Sequence, residues 1–267
     1  MATATVDIRE QLGLQDFSDI LKNLNVLAYG EPDSGKTYLA GTMQDHPDLH
    51  PVLHLGFEQG LLAVAYRKNY EAKEIRTIAE LEKTVEILQD DCRSAKPYYK
   101  GLIVDNATEL QSLDIDTVMQ EAKKLAIAKS RGETVDIDVP SPREWGKIGK
   151  RLRRCVISLR DLPLHTVWTA WRGEYTDEAT EITRYFPKLS GFMKSEFSGY
   201  FDIVGYMQKD NKKKDGVETA YVTMQVSGTK RVKAKWRNKP DEVPGILEMP
   251  TMPMIWEYVQ KSKIQTG

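Results

Sequence analysis

VLAYGEPDSGKTYLA, residues Val26 to Ala40, has the form Gly30-x-x-x-x-Gly35-Lys36-Thr37, with a short apolar run before it and helix formers after it. A loop that wraps a phosphate chain has to turn several backbone N–H groups inward. Glycines permit that turn and let the phosphate approach closely. A helix starting at the loop's end adds the positive end of its dipole. In such a loop the lysine, Lys36, reaches the β- and γ-phosphates, and the hydroxyl of Thr37 ligates Mg²⁺. The binding segment is therefore Gly30, Glu31, Pro32, Asp33, Ser34, Gly35, Lys36, Thr37 and Tyr38. The rest of the chain is read as equipment around a bound nucleoside triphosphate.

Outward from this loop, strands and helices alternate. Asn25 to Tyr29 reads as the first buried strand, Pro51 to Phe57 as the second, Lys100 to Asp105 as the third and Leu164 to Ala170 as the fourth. Between them, Ile78 to Leu88 carries apolar residues at helical spacing, and Leu110 to Ala128 and Arg143 to Arg160 read as further helices. The last of these sets Ile148, Leu152, Cys155 and Leu159 on one face, and Lys147, Lys150, Arg151 and Arg154 on another. Ser130 to Pro142 reads as an exposed loop, and Trp171 to Phe197 as a long polar one. Tyr200 to Met207 and Ala220 to Val226 read as antiparallel strands joined by a charged turn, with a further strand over Val232 to Trp236. The fold expected is α/β: a mainly parallel sheet flanked by helices, with antiparallel strands at its C-terminal edge. Residues 1–24 are a short lead-in, 25–250 the core, and 251–267 a closing helix and tail.

The 267 residues are 40% apolar and 29% charged, which suits a globular α/β chain with an ample core. A formal charge of −1 gives no global pull toward nucleic acid or an anionic membrane, so any such binding has to come from local patches. Cys92 and Cys155 make no disulfide framework, which points to a reducing, cytoplasmic setting. The start MATATVDIREQLG contains acids and no apolar stretch, unlike a signal peptide. His46, His50, His54 and His165 show no metal-ligand spacing with the cysteines.

Hydrolysis of a metal-bound triphosphate also needs a carboxylate near the metal and a group to orient or deprotonate water. Asp105, closing a buried strand, fits the first role. Glu58 fits the second, because it ends the strand after the phosphate-loop helix and would emerge on the nucleotide side of a parallel sheet. Thr169, at the end of the fourth strand, could hydrogen-bond the γ-phosphate or the attacking water. Each has a plainer alternative: an acid that ends a strand, a solvated turn glutamate, a structural threonine.

The order GEPDSGKT, HLGFEQGLLAV, GLIVDNATEL and HTVWTAW resembles the RecA-like ATPase core. The resemblance implies ATP as ligand with Mg²⁺, Glu58 as catalytic base and Asp105 as the metal-assisting acid. AAA+ ATPases usually follow that aspartate with a glutamate, whereas here Asn106 follows. In KRVKAK, Lys233 and Lys235 match a pair of lysines, one residue apart, that in RecA-like filaments reach the γ-phosphate held by the neighbouring subunit. The nearest resemblance is to small phage-encoded AAA-type proteins regarded as minimal RecA-like recombinases that anneal single strands. It rests on Trp145-Gly146, the stretch Pro187 to Leu189, the YFDIV run from Tyr200 to Val204, and Lys233 to Arg237. One departure is that Ala170-Trp171-Arg172 stands where RecA carries an ATP-sensing glutamine.

The same resemblance implies single-stranded DNA as a partner, self-association into a ring or filament, and a single-strand-binding protein as a further partner, with no membrane role. The expected DNA stretches are Ser130 to Pro142 and Arg172 to Phe197. The first is acidic. The second interleaves Arg172, Tyr175, Arg184, Tyr185, Phe186, Lys188 and Lys194, which suits a backbone-tracking groove with base stacking. Two other classes remain open at this point: a nucleotide-dependent switch acting on a protein partner, and a helicase-type motor.

Overall fold

Four of the apolar runs have no polar alternation at all. A strand of that kind has to be covered on both faces, and the structure covers them. The computed structural model describes residues 23–58, 64–128, 136, 138–214 and 217–265. The lead-in to residue 22 and most of the acidic 130–142 loop lie outside the described residues, as do the side chains of 212–218 and 262–265; the stretch expected as a charged turn between the antiparallel strands is largely strand, with β7 running to Lys214.

In chain order the elements are β1 (Asn25–Gly30), α1 (Lys36–Gly41), β2 (Val52–Gly56), β3 (Glu71–Glu74), α2 (Ile78–Arg93), β4 (Gly101–Asp105), α3 (Ala107–Ala128), α4 (Pro142–Arg160), β5 (His165–Asp177), β6 (Ile182–Pro187), α5 (Met193–Glu196), β7 (Ile203–Lys214), β8 (Val217–Gln225), β9 (Lys235–Trp236), β10 (Ile246–Glu248) and α6 (Met252–Gln265). The sheet order is β10-β8-β7-β1-β5-β4-β2-β3. From β7 to β3 every pairing is parallel, while β8, β10 and β9 add antiparallel strands at the β7 end. This is the mainly parallel sheet with antiparallel C-terminal strands that the sequence predicts.

Alternate residues of the parallel strands feed two separate cores. Leu27, Tyr29, Leu102, Val104, Trp168 and Ala170 pack with α2, α3 and α4 on one face. Val26, Ala28, Ile103 and Val167 pack with Leu39 and Ala40 of α1 and with Met252, Ile255 and Trp256 of α6 on the other. The closing helix is thus buried into the second core, and its first amide is accepted by the Thr42 hydroxyl at 2.7 Å.

The stretch 171–197, expected as a long polar loop, is mostly regular structure. β5 runs on to Asp177 and pairs antiparallel with β6, Arg172 opposite Pro187 through Asp177 opposite Ile182. Thr, Tyr and Ile alternate with charged residues here, a pattern that fits a solvated two-stranded ribbon. The segment Val232–Trp236 forms only the two-residue β9, with a single bridge between Val232 and Tyr185. β3, charged and four residues long, carried no strand pattern in the sequence; it pairs with β2 at the sheet edge, and Glu71 accepts from the Tyr98 and Tyr99 hydroxyls.

The polar face expected on α4 is not wholly solvated. Arg151 bonds the buried Asp114 of α3 through Nε, and reaches Glu121 Oε1 at 3.1 Å. Burial pushes the Asp114 carboxyl up to about 6, and Arg151 works against that shift. The pKa lies above its unfolded value, so ionised Asp114 costs stability as pH rises from that value through the folded one. Replacing Arg151 with Leu leaves the carboxylate buried without its cation. Denaturant unfolding should show a loss of about 3 kcal/mol near pH 8, and a clearly smaller loss near pH 5, where Asp114 takes up a proton.

Candidate functional site

The C-terminal edge of the parallel sheet collects the chemistry. β1 ends at Gly30, β2 at Gly56, β4 at Asp105, and Thr169 lies in β5 at the same level. β5 separates β1 from β4, so Thr169 stands between the phosphate-loop strand and the aspartate strand.

The loop conformation accounts for both glycines. Gly35 sits at φ +84, in the left-handed region, just before α1. A Cβ on Gly30 would come within 2.4 Å of the Met207 carbonyl of β7 and 2.6 Å of Ser34 Oγ. Lys36 Nζ donates to the Glu31 carbonyl at 2.5 Å, the Gly30 carbonyl at 3.2 Å and Ser34 Oγ at 3.3 Å. Burial lowers the Lys36 pKa, against the pull of Asp105 and Glu58. Two ion pairs strap the loop to neighbouring strands: Arg172 Nη2 with Glu31 Oε1 at 2.6 Å, and Lys209 Nζ with Asp33 Oδ2 at 2.5 Å.

Asp105 is the hub. Its Oδ2 accepts from Thr37 Oγ1 at 2.6 Å, its Oδ1 accepts from Thr169 Oγ1, and His54 Nε2 of β2 lies 3.5 Å from Oδ2. His54 Nδ1 in turn meets the Tyr70 hydroxyl at 2.7 Å. Burial by itself would raise the Asp105 pKa. The neighbouring His54 and the two hydroxyls outweigh it and hold the carboxyl below the usual range.

Glu58 lies just past β2, and Phe57 N bonds the Asp105 carbonyl at 2.8 Å. Asn106 Nδ2 donates to Glu58 Oε1 at 2.7 Å, and Asn106 Oδ1 accepts from Glu109 N at 2.9 Å. Partial burial raises the Glu58 pKa, and the Asn106 bond opposes the rise. A cavity of about 330 Å³ is lined by Pro32, Asp33, Gly35, Lys36, Thr37, Tyr38, Glu58, Asp105 and Trp171. The phosphate loop, the aspartate and the glutamate therefore face one space.

The donors present fit Mg²⁺. They are a hydroxyl and a carboxylate, both hard oxygens, beside a loop shaped for phosphates. Among the described residues no group of three or more His, Cys, Asp or Glu forms a metal cage. Mg²⁺ is typically held by one or two protein oxygens together with substrate phosphates and water.

The remaining predicted residues fall into two groups. Arg172 lies over the Tyr185 ring at 4.7 Å and bonds Glu174 and the Tyr206 hydroxyl, as well as Glu31. Tyr185 also stacks on Tyr206, with centroids 5.5 Å apart, so neighbours occupy its ring. Lys188 lies over Trp171 at 5.4 Å, on the nucleotide side. Tyr175 and Arg184 face each other farther out along the ribbon, while Phe186 lies nearer its base with Lys194 of α5 over it, Nζ 4.6 Å from the ring centroid. Lys233 donates to the Ser195 carbonyl at 3.1 Å and Lys235 to that of Gly199 at 3.4 Å, and neither lines the phosphate-loop cavity. The sequence assigns no site role to His54 or Tyr70, and marks Asn106 and Trp171 only as departures from the family pattern. A lone histidine inside an apolar strand was the only hint for His54.

Fold and site together define a P-loop nucleotide-binding protein of the mainly parallel α/β kind. The chain belongs to the AAA domain family, whose sequence model matches residues 22–238. No curated protein matches it in sequence. Among solved structures it is similar to the RadB recombinase, at 10% identity and a TM-score of 0.43, over 84% of this chain and 86% of that one. It is also similar to the pCW3 conjugation coupling protein TcpA, in its monomer form with ATPγS, at 12% identity and a TM-score of 0.35, over 70% of this chain and 49% of that one. Both likenesses are distant. Among the described residues no helix is long and apolar enough to cross a membrane.

Asn106 donates to the charged form of Glu58, so its removal should raise the Glu58 pKa further. In Asn106→Ala the acid limb of any Glu58-dependent turnover should move to higher pH, read from a pH–rate profile. Gly30→Ala should abolish nucleotide binding, measured by calorimetry, because its Cβ meets a strand backbone that cannot retreat.

Proposed function

We propose that the chain is a Mg²⁺-dependent ATPase of RecA-like type that binds single-stranded DNA and promotes annealing or strand exchange, working as an oligomer in phage recombination. The observation that carries the catalytic part is the triple engagement of Asp105 by Thr37, Thr169 and His54, beside a Glu58 held by Asn106.

In this reading the loop amides and Lys36 hold the phosphate chain and offset the charge that builds on it during transfer. Thr37 would hold Mg²⁺ directly, with Asp105 behind it. When bound, the metal neutralises charge on the β- and γ-phosphate oxygens. Thr169 fixes the Asp105 carboxylate in its plane. Glu58 accepts a proton from the attacking water, and its raised pKa makes it a better base than an ordinary surface glutamate. Trp171 closes one side of the cavity and excludes solvent. Lys233 and Lys235, remote from their own chain's phosphate loop, would act on a neighbour's triphosphate, which ties turnover to assembly. The ribbon residues Arg172, Tyr175, Arg184, Tyr185 and Phe186, with Lys188 and Lys194 just beyond β6, form the DNA side. Arg172 and Lys188 reach back to the nucleotide loop and its cavity.

Glu58→Gln should keep nucleotide affinity and lose turnover by about 10²- to 10⁴-fold. Phosphate release by the unaltered protein should rise when single-stranded oligonucleotide is added, and should rise more than linearly with protein concentration. Turnover indifferent to both would instead favour a nucleotide-dependent switch acting on a protein.

A further inference from the structure

The sequence reading treats the β6 residues and the KRVKAK segment as parts of two different sites. The structure joins them. Tyr185 N bonds the Arg231 carbonyl at 2.6 Å, and Lys233 N bonds the Tyr185 carbonyl at 3.0 Å, so residues 229–233 lie alongside β6. On the other side stands the turn 191–195, tied across by Lys233 Nζ to the Ser195 carbonyl. Between them runs an open groove of about 580 Å³.

Five cations line this groove, Arg184, Lys194, Lys230, Arg231 and Lys233, and no acid does. Arg184, Lys230 and Arg231 are exposed, and among the described residues their side chains have no ion pair. Some cations outside the groove do meet a carboxylate, among them Arg67, Arg76, Arg151, Arg160, Lys209 and Arg237. Among the described residues, the lining of this groove thus carries cations without a counter-charge. Cations spaced along a groove repel one another modestly in water, and they gain most from a ligand that repeats its negative charge and releases its own counterions on binding. Lys194, one of the five, lies over the ring of Tyr175 with Nζ 5.9 Å from its centroid, and Tyr175 is 55% exposed.

We propose that this groove seats the phosphodiester backbone of single-stranded DNA, with Lys230 and Arg231 as two of its phosphate contacts. The proposal rests on the reading of the protein as a DNA-binding ATPase, and adds to it a wall that neither the phosphate-loop site nor the ribbon supplies. It also gives the 229–233 segment a task within its own subunit, separate from any reach of Lys233 toward a neighbour.

The test uses the full chain with Mg²⁺ and a non-hydrolysable ATP analogue. Fluorescence anisotropy of a labelled oligothymidylate is followed across a salt series for the parent protein and for Lys230→Ala/Arg231→Ala. Both side chains are exposed and form no hydrogen bond or ion pair with the described residues, so the variant should fold, and circular dichroism checks that it does. Affinity should fall by on the order of tenfold near 0.1 M salt, and the slope of log K against log salt should shrink by about 1.4, the share of two single-strand phosphate contacts. Nucleotide affinity should not move. If the parent binds the oligonucleotide and the variant matches it in affinity and slope, the groove assignment is wrong while the DNA-binding reading stands. Unchanged DNA binding together with lost concentration dependence of turnover, read for the same variant in a separate assay with ATP, would place the segment against a neighbouring subunit, and would equally overturn the groove. A parent protein that binds no oligonucleotide would remove both.

Discussion

A carboxylate taken out of water has to be hydrogen-bonded or paired, or it costs several kcal/mol. Asp105 is almost fully buried, and its partners arrive from three directions: Thr37 from the phosphate-loop helix, Thr169 from β5, His54 from β2. These contacts exist only if β5 lies between β1 and β4 and the strands stay in register. The buried charge therefore specifies the sheet order as well as serving the site. Any slip of β4 would strand the carboxylate against apolar neighbours.

The phosphate loop is held from outside by the same logic. Gly30 lets β1 pass close to β7, and the pairs Arg172–Glu31 and Lys209–Asp33 join the loop to β5 and β7. Arg172 is the busiest of these side chains. One guanidinium touches the nucleotide loop, the ribbon acid Glu174, and the Tyr185–Tyr206 stack. A continuous line of contacts runs from the phosphate-loop cavity to the ribbon, at the position where the sequence departs from the RecA pattern.

The ribbon shows how local chemistry and tertiary context divide the work. Its alternating Thr, Tyr and charged residues are compatible with a strand or with a polar loop, and sequence alone did not choose. Pairing with β6 chose, because it satisfies the backbone groups that β5 carries beyond the edge of the sheet. The same step placed Arg172 over Tyr185, and the turn into α5 brings Lys194 over Phe186. Several aromatics expected to face a ligand are thereby occupied by their own cations.

Phosphate loop, strand order along the chain, and the positions of Asp105 and Glu58 were all legible in the sequence. Each is encoded within a few adjacent residues: a glycine spacing, an unbroken apolar run, an acid at its end. The site contacts of His54, Asn106 and Trp171, the buried Arg151–Asp114 pair and the joining of residues 229–233 to β6 were not. Each depends on residues tens of positions apart meeting across strands or helices, and no local pattern records such a meeting. Sequence determined which groups could grip a triphosphate. Only the folded sheet decided which neighbours set their charge, because burial and distance are properties of the packed chain.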